Sequence, residues 1–379
     1  MSGIYIHIPF CRQACHYCNF HFSVSQKRRP EFVKALIREI KMQKDFLYPD
    51  NDNRFPLDTL YLGGGTPSLL NAAELEIIFN VLHKYYSFIP NAEITLEANP
   101  DDLLPEKLET LRKLSVNRLS IGIQSFYEED LRFMNRSHNS RQAIDVLNYA
   151  QEAGFVNITA DLIYGTPGMT DKQWEQNIMQ LIKMGIPHIS AYSLTVEKKT
   201  ALDVFIRKGK VAPVDEEQAA RQFELLCALT AQHGYEHYEV SNFGKRGYFS
   251  KHNLGYWSGE PYLGLGPSAH SFKPGMRQWN VANTCKYIDS LKLGKIPFQQ
   301  EILTEEQQYN EYVMTALRTM WGIDEKHVKN KFGIRYHEGM MRSAQKHLNN
   351  GKLVHSSGRL KVTPSGKFFA DGIASDLFA

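Results

Sequence analysis

Six apolar runs of strand length alternate with longer amphipathic stretches through the first half of the chain, and that alternation leaves few folds open. The runs are "GIYIHI" from residue 3, "LDTLYL" from 57, "AEITLEA" from 92, "RLSIGI" from 118, "VNITADLI" from 156 and "HISAYSL" from 188. Between them, "EFVKALIREIKMQKDFL", "AAELEIIFNVLHKYY", "QAIDVLNYAQEAG" and "TDKQWEQNIMQLIKMG" carry the helical period. Six β–α units in series require a parallel sheet with right-handed crossovers. The expectation is an α/β fold with a partial (β/α)6 TIM-like barrel. With 379 residues, 42% of them apolar, the chain can bury that core and a small second domain.

Each strand-like run ends in chemistry. A cysteine loop follows the first and Gly63, Gly64, Gly65, Thr66 and Pro67 follow the second; Glu97, Gln124 and Asp161 lie on the next three, and Tyr192 and Ser193 on the sixth. In a parallel barrel the C-terminal strand ends converge on one face, so one pocket should gather all six features. The glycine run allows close backbone approach to a ligand. It lacks the Lys-Ser/Thr of a phosphate loop, and a tight turn is the bland alternative. Glu97 or Asp161 can accept bonds from an ammonium or a ribose diol, and Arg136 can pair with a carboxylate. Singly each could be a surface charge; together they suit a ligand with an amino-acid part and a nucleoside part.

Cys11, Cys15 and Cys18 are three of only five cysteines. The spacing C-x3-C-x2-C is too tight for a disulfide framework in a chain this long, and it suits a metal site with one coordination position left over. Two metals answer that description. Zinc could complete a tetrahedron with His7, His16 or His21; an iron–sulfur cluster could sit on three thiolates with one iron open. Cys227 and Cys285 stand alone and read as small buried hydrophobes.

The motif Cys11-x3-Cys15-His16-Tyr17-Cys18, followed by the glycine run, resembles the radical S-adenosylmethionine (SAM) superfamily. The resemblance covers nearly the whole chain and points to the oxygen-independent coproporphyrinogen III oxidase-like branch, in particular its heme-chaperone members. It implies a [4Fe-4S] cluster on the three cysteines, its open iron chelated by the amino and carboxylate groups of S-adenosyl-L-methionine. It also implies one-electron cleavage of that sulfonium to methionine and a 5′-deoxyadenosyl radical. By matching position, Tyr5, Gly64, Gly65, Thr66, Glu97, Gln124, Arg136 and Asp161 resemble the branch's cofactor contacts, and Ser193 is a looser match. The porphyrinogen-oxidising members carry a long segment before the first strand and a further cysteine two residues after the third. Here the strand begins within the first few residues, and Phe20 takes the cysteine's place. Those departures weaken oxidative decarboxylation of coproporphyrinogen propionates, which remains the alternative to heme transfer.

A second segment, "HNLGYW", runs from His252 to Trp257. Its histidine could be a hydrogen-bonded loop residue, or it could offer an imidazole to a heme iron while Tyr256 and Trp257 cover the macrocycle edge. The resemblance implies the heme role, with heme and a heme-acceptor protein as partners. The glycine-rich run from Gly259 to Gly266 reads as a tight turn closing the domain, and for His270 a packed turn weighs as much as a ligand role.

From about residue 300 three helices and a small hairpin have a winged-helix look. Residues 300–379 hold eleven Lys/Arg against nine Asp/Glu, which is no basic footprint, and a net charge of +3 overall makes no case for nucleic acid. A cap over the barrel opening or a docking surface for a heme acceptor fits better. The expected divisions are a barrel with the cluster and cofactor over 1–200, an extension carrying the histidine segment over 201–299, and the winged-helix-like α+β domain over 300–379. Lys27, Arg28 and Arg29 read as a solvated loop. No apolar run approaches the roughly 18 residues that a membrane span needs, and no basic amphipathic helix argues for a membrane surface, although peripheral contact stays open. The N-terminus lacks a secretory pattern, and free thiols point to a reducing cytoplasm.

Overall fold

A computed structural model gives the structure of residues 2–47 and 56–379. Strands β1 (Gly3–Ile8), β2 (Leu57–Gly64), β3 (Phe88–Ala98), β4 (Arg118–Gln124), β5 (Asn157–Tyr164) and β6 (His188–Ser193) coincide with the six runs and lie side by side, all parallel. Helices Arg29–Met42, Ala72–Tyr85, Pro105–Lys113, Ser140–Glu152 and Asp171–Lys183 connect them. Three of these start in capping boxes, Asn71 with Glu74, Asn139 with Gln142 and Thr170 with Gln173, in which side chains satisfy first-turn amides that have no helical partner. The third helix escapes the sequence reading because nine residues carry too little periodicity.

Residue parity gives the sheet two chemically different faces. Ile4, Ile6, Ile8, Leu60, Leu62, Leu96, Leu119, Ile121, Ile123, Ile158, Leu162 and Ile189 alternate along the strands and are buried in one continuous core with the helices. Each such side chain contributes about 1.5–3 kcal/mol by leaving water. The residues between them, Tyr5, His7, Thr59, Tyr61, Glu97, Ser120, Gln124, Thr159, Asp161 and Ser190, occupy the opposite face. A barrel interior made of polar and aromatic groups follows from that alternation.

Residues beyond 201 extend the sheet at both edges. Strands β7 (Glu236–Glu239) and β8 (Asn242–Gly244) add antiparallel beyond β6. On the other side β9 (Tyr262–Leu265) pairs parallel with β1, and β10 (His270–Lys273), β11 (Met276–Asn280) and β12 (Phe298–Ile302) continue antiparallel, making twelve strands. The glycine run expected as a turn is therefore half strand, Tyr262–Leu265. Gly264 lies in β9 because a side chain there would strike the His270 carbonyl, and the turn comes at Gly266, with φ +95°.

A second core, including Tyr309, Val313, Leu317, Ile323, Leu353 and Leu360, organises the C-terminal part. Helices Glu305–Leu317, Glu325–Phe332, Ile334–Asn349 and Ala370–Asp376 surround a sheet of β13 (Ile323–Asp324), β14 (Leu353–Ser356) and β15 (Arg359–Val362). One strand and one helix thus exceed the three helices and hairpin expected; at two and seven residues both are too short to show a period.

Two readings need correction. Cys285 is exposed, and Cys227 is half-buried with its sulfur 3.7 Å from His237 Nδ1, so neither is a sealed hydrophobe. Arg28 and Arg29 are only partly exposed and both are paired, Arg28 with Glu31 and Asp289 and Arg29 with Glu74, which links the start of the first helix to its neighbours. Among the described residues no helix is long and apolar enough to cross a membrane.

Candidate functional site

The three cysteines occupy the loop after β1, and the loop is pinned across the exits of β3 and β4. Arg12 pairs with Asp102 at 2.7 Å, Asn135 Nδ2 donates to the Ala14 carbonyl at 2.7 Å, and the His16 amide donates to the Met134 carbonyl at 3.1 Å. Two side chains reach the sulfurs themselves: Thr66 Oγ1 donates to Cys11 Sγ at 3.5 Å and Arg136 Nη1 to Cys15 Sγ at 3.3 Å. Burial pushes the Cys11 thiol up to about 11 and raises Cys18, with the Arg136 charge opposing both. A metal arriving there displaces protons from neutral thiols.

Of the three histidines offered for zinc, His7 has both ring nitrogens in hydrogen bonds and His16 and His21 one each. His7 uses Nδ1 on the Tyr5 hydroxyl and Nε2 on the His21 carbonyl, His16 uses Nδ1 on the Phe133 carbonyl, and His21 uses Nε2 on Thr284. Among the described residues no three His, Cys, Asp or Glu side chains converge as a single-ion site requires. Three soft donors with two hydrogen-bond donors at their sulfurs fit a cluster, which distributes its thiolates over several irons.

The strand ends meet above this loop. Glu97 accepts from the Gly64 amide at 3.1 Å and from the Tyr61 hydroxyl at 2.8 Å. Arg136 donates to Asn99 Oδ1 at 2.7 Å and to the Gly122 carbonyl at 3.0 Å, while its buried Nε has no partner among the described residues. Asn99 in turn donates to Thr66 at 3.3 Å. A Cβ on Gly122 would stand 2.9 Å from Gln124 Nε2 and 3.0 Å from Arg136 Nη2, so those two side chains meet over that glycine. Gln124 holds φ +64°, an uncommon backbone state for a residue with a side chain. Asp161 accepts from Ser120 at 3.3 Å. Burial lifts Glu97 and Asp161 to about 7 each, and Asp161 is raised further by Glu97.

Cys11, Cys15, Thr66, Asn99, Gln124 and Arg136 thus form one connected set, with Gly64 and Glu97 beside it. Tyr5 reaches it through ring contact with Tyr61 at 6.0 Å. Ser193 lies outside this hydrogen-bonded set, paired with the Tyr164 hydroxyl. Asn99, Tyr61 and Ser120 escaped the sequence reading; strand parity was the signal that would have found the last two.

His252 has both ring nitrogens in hydrogen bonds. It is buried in the helix Lys251–Trp257, with Nδ1 2.7 Å from Thr59 Oγ1 and Nε2 2.8 Å from the Tyr256 hydroxyl. Its ring stacks on Tyr61 at 5.1 Å, and burial holds its pKa down at about 3. Trp257 faces the Arg318 guanidinium at 5.7 Å, tying this helix to the C-terminal part. An imidazole with both nitrogens engaged cannot ligate iron without giving up Thr59 or Tyr256.

A model of the radical SAM superfamily matches residues 5–181, and one of the HemN C-terminal domain matches residues 303–369. The heme chaperone HemW of Bacillus subtilis is 36% identical over 379 residues, covering 98% of each chain. The chain belongs to the HemW family of radical SAM proteins. A HemW from Lactococcus lactis is 32% identical over 96% of this chain and 94% of its own. Among solved structures, the coproporphyrinogen III oxidase HemN from Escherichia coli superposes with a TM-score of 0.85 over all of this chain and 90% of that one, at 21% identity. That likeness establishes a common fold, a mostly parallel α/β sheet with a C-terminal domain. Membership of the HemW family implies a cluster and SAM.

The Glu97 carboxyl makes the site of this HemW-family chain sensitive to pH. Its native pKa, about 7, lies above its ordinary value of 4.5. Between those values the folded chain keeps a proton that the unfolded chain has lost. Stability therefore falls as pH rises through that window, and above it the penalty is on the order of 3 kcal/mol. Glutamine mimics the neutral acid, so Glu97→Gln should stabilise cluster-free protein by about 1–3 kcal/mol at pH 8 and change little near pH 5. Urea unfolding at the two pH values checks this; equal stability at pH 8 would mean the ionised carboxylate is fully compensated.

Proposed function

We propose that this chain holds a [4Fe-4S] cluster on Cys11, Cys15 and Cys18, binds SAM against the strand ends, and receives heme for delivery to acceptor proteins in a reducing cytoplasm. The observation that carries the heme part is end-to-end similarity to heme chaperones HemW at 36% identity. A bound cluster would supply one electron and an open iron for the amino-acid end of SAM. The chain's own residues do the rest. Arg136 keeps a fixed positive charge against Cys15 Sγ, and its unpartnered Nε leaves a donor for a ligand carboxylate. Gly64 and Gly65 bring backbone within contact distance, because side chains there would meet the His7 ring or the Phe10 and Ile8 carbonyls. Glu97 and Asp161 offer acceptors to an ammonium and a ribose diol.

The second reading, oxidative decarboxylation of coproporphyrinogen III, draws on the fold shared with HemN. Anaerobic purification with iron, sulfide and heme quantification, and spectra before and after adding SAM, decides between them. A chaperone binds hemin stoichiometrically and forms no protoporphyrinogen. Turnover of coproporphyrinogen, or a cluster spectrum indifferent to SAM, would overturn the proposal.

A further inference from the structure

Among the described residues β12 ends the twelve-stranded sheet on one side, with no strand beyond it. The phase of its bonds to β11 is fixed at the two ends: the Val281 amide donates to the Pro297 carbonyl and the Leu303 amide to the Gly275 carbonyl, each at 2.8 Å. With Trp279 opposite Gln299 and Arg277 opposite Glu301, the odd-numbered residues of β12 turn their main chain inward to β11. Phe298, Gln300 and Ile302 turn theirs outward. Open edges invite another strand, and proteins ordinarily blunt them with lysine, proline, a bulge or an unpaired charge. Residues 298–302 have none of these: the register with β11 is unbroken, and the one charged side chain, Glu301, is held by Arg277 at 3.3 Å. On the face that alternates with Glu301, Ile302 is 70% exposed and Phe298 42%.

We infer that β12 is a contact between two copies of this chain, paired antiparallel about a twofold axis at Gln300. The run Phe298-Gln299-Gln300-Glu301-Ile302 is self-complementary in that register. Phe298 meets the partner's Ile302 at both ends, Gln300 meets its own copy, and Gln299 offers an amide to the partner's Glu301, so the strand's one charge faces a donor. Gln278 lies beside Gln300 in β11, and its buried Nε2 has no hydrogen bond among the described residues; the row of glutamine amides across the axis brings further acceptors to that side. The Phe298 amide is spent on the Ile296 carbonyl at 3.1 Å, which leaves the Gln300 and Ile302 amides of each copy to donate across the axis. Other registers are poorer. A shift of two residues one way carries Ile302 past the start of the partner strand; the other way sets Glu301 against its own copy, like charge on like. A contact resting on one five-residue strand is small for a protein interface, so the pair should be weak and reversible.

Sedimentation velocity of the full-length protein at rising concentration tests this on wild type, Gln300→Pro and Ile302→Lys. Wild type should pass from monomer to dimer, and each substitution should raise the dissociation constant by at least roughly tenfold. Proline at 300 removes an amide that β11 does not use, and lysine at 302 puts a charge on the edge, so urea unfolding of both should match wild type. Amide hydrogen exchange reads the register: Gln300 and Ile302 should slow as concentration rises, whereas Gln299 and Glu301, bonded to β11, should be slow throughout. A monomer at every concentration would overturn the proposal, even if a foreign extended peptide adds to the edge. A dimer that survives both substitutions, or exchange at Gln300 and Ile302 that ignores concentration, would put the contact elsewhere and overturn it as well.

Discussion

Anaerobically reconstituted Cys15→Ala protein will carry almost no iron. Two remaining thiolates, Cys11 and Cys18, would leave two irons of a cubane uncapped, and the cluster would be lost to solvent and chelators. The substitution also removes the sulfur that Arg136 Nη1 meets at 3.3 Å, leaving that nitrogen only the Tyr17 hydroxyl at 3.4 Å. Since Arg136 Nε already lacks a partner, the buried guanidinium becomes more exposed to its desolvation penalty, and cluster-free protein should lose about 1–3 kcal/mol as well. Iron and sulfide analysis checks the first effect and urea unfolding the second. Cys227→Ala and Cys285→Ala, which leave all three loop thiols in place, should retain full iron. Full iron in Cys15→Ala, or zinc in its place in wild type, would end the cluster assignment.

How much of this was readable beforehand depended on the period of the signal. Strands β1 to β6 were legible because each carries at least two aliphatic residues at alternate positions, and their ends were legible because Cys11, Gly64, Glu97 and Gln124 are chemically out of place in a core strand. The other parity was equally regular but was not read. Thr59, Tyr61, Ser120 and Ser190 share the face of Glu97 and Asp161, and the register that opposes Glu97 to Ser120 and Asp161 to Ser190 follows from parallel pairing. What no local pattern could show is contact across long separations. Arg12 reaches Asp102, Asn99 reaches both Thr66 and Arg136, and His252 reaches Thr59, 193 residues away. His252 shows the consequence: its motif advertises a ligand, while the fold spends both of its nitrogens on structure.

Gly64→Ala separates the cluster from its cofactor. Gly64 holds φ +106°, and a Cβ there would lie 2.6 Å from the His7 ring. That backbone state costs a residue with a side chain about 1–3 kcal/mol before any collision is counted. His7 cannot swing aside cheaply, because the Tyr5 hydroxyl holds one ring nitrogen at 3.2 Å and the His21 carbonyl the other at 2.8 Å. Relief must therefore come from the loop itself, which shifts the amide that Glu97 accepts and carries Gly65 and Thr66 with it. All three thiols remain, so reconstituted Gly64→Ala should keep near-normal iron and sulfide while its affinity for SAM falls by roughly tenfold or more, about 1.4 kcal/mol at least. Titrating SAM against the cluster's spectrum measures that affinity directly. An unchanged titration would place the cofactor away from the glycine run, whereas simultaneous loss of iron would mean that the loop supports the cluster rather than the ligand.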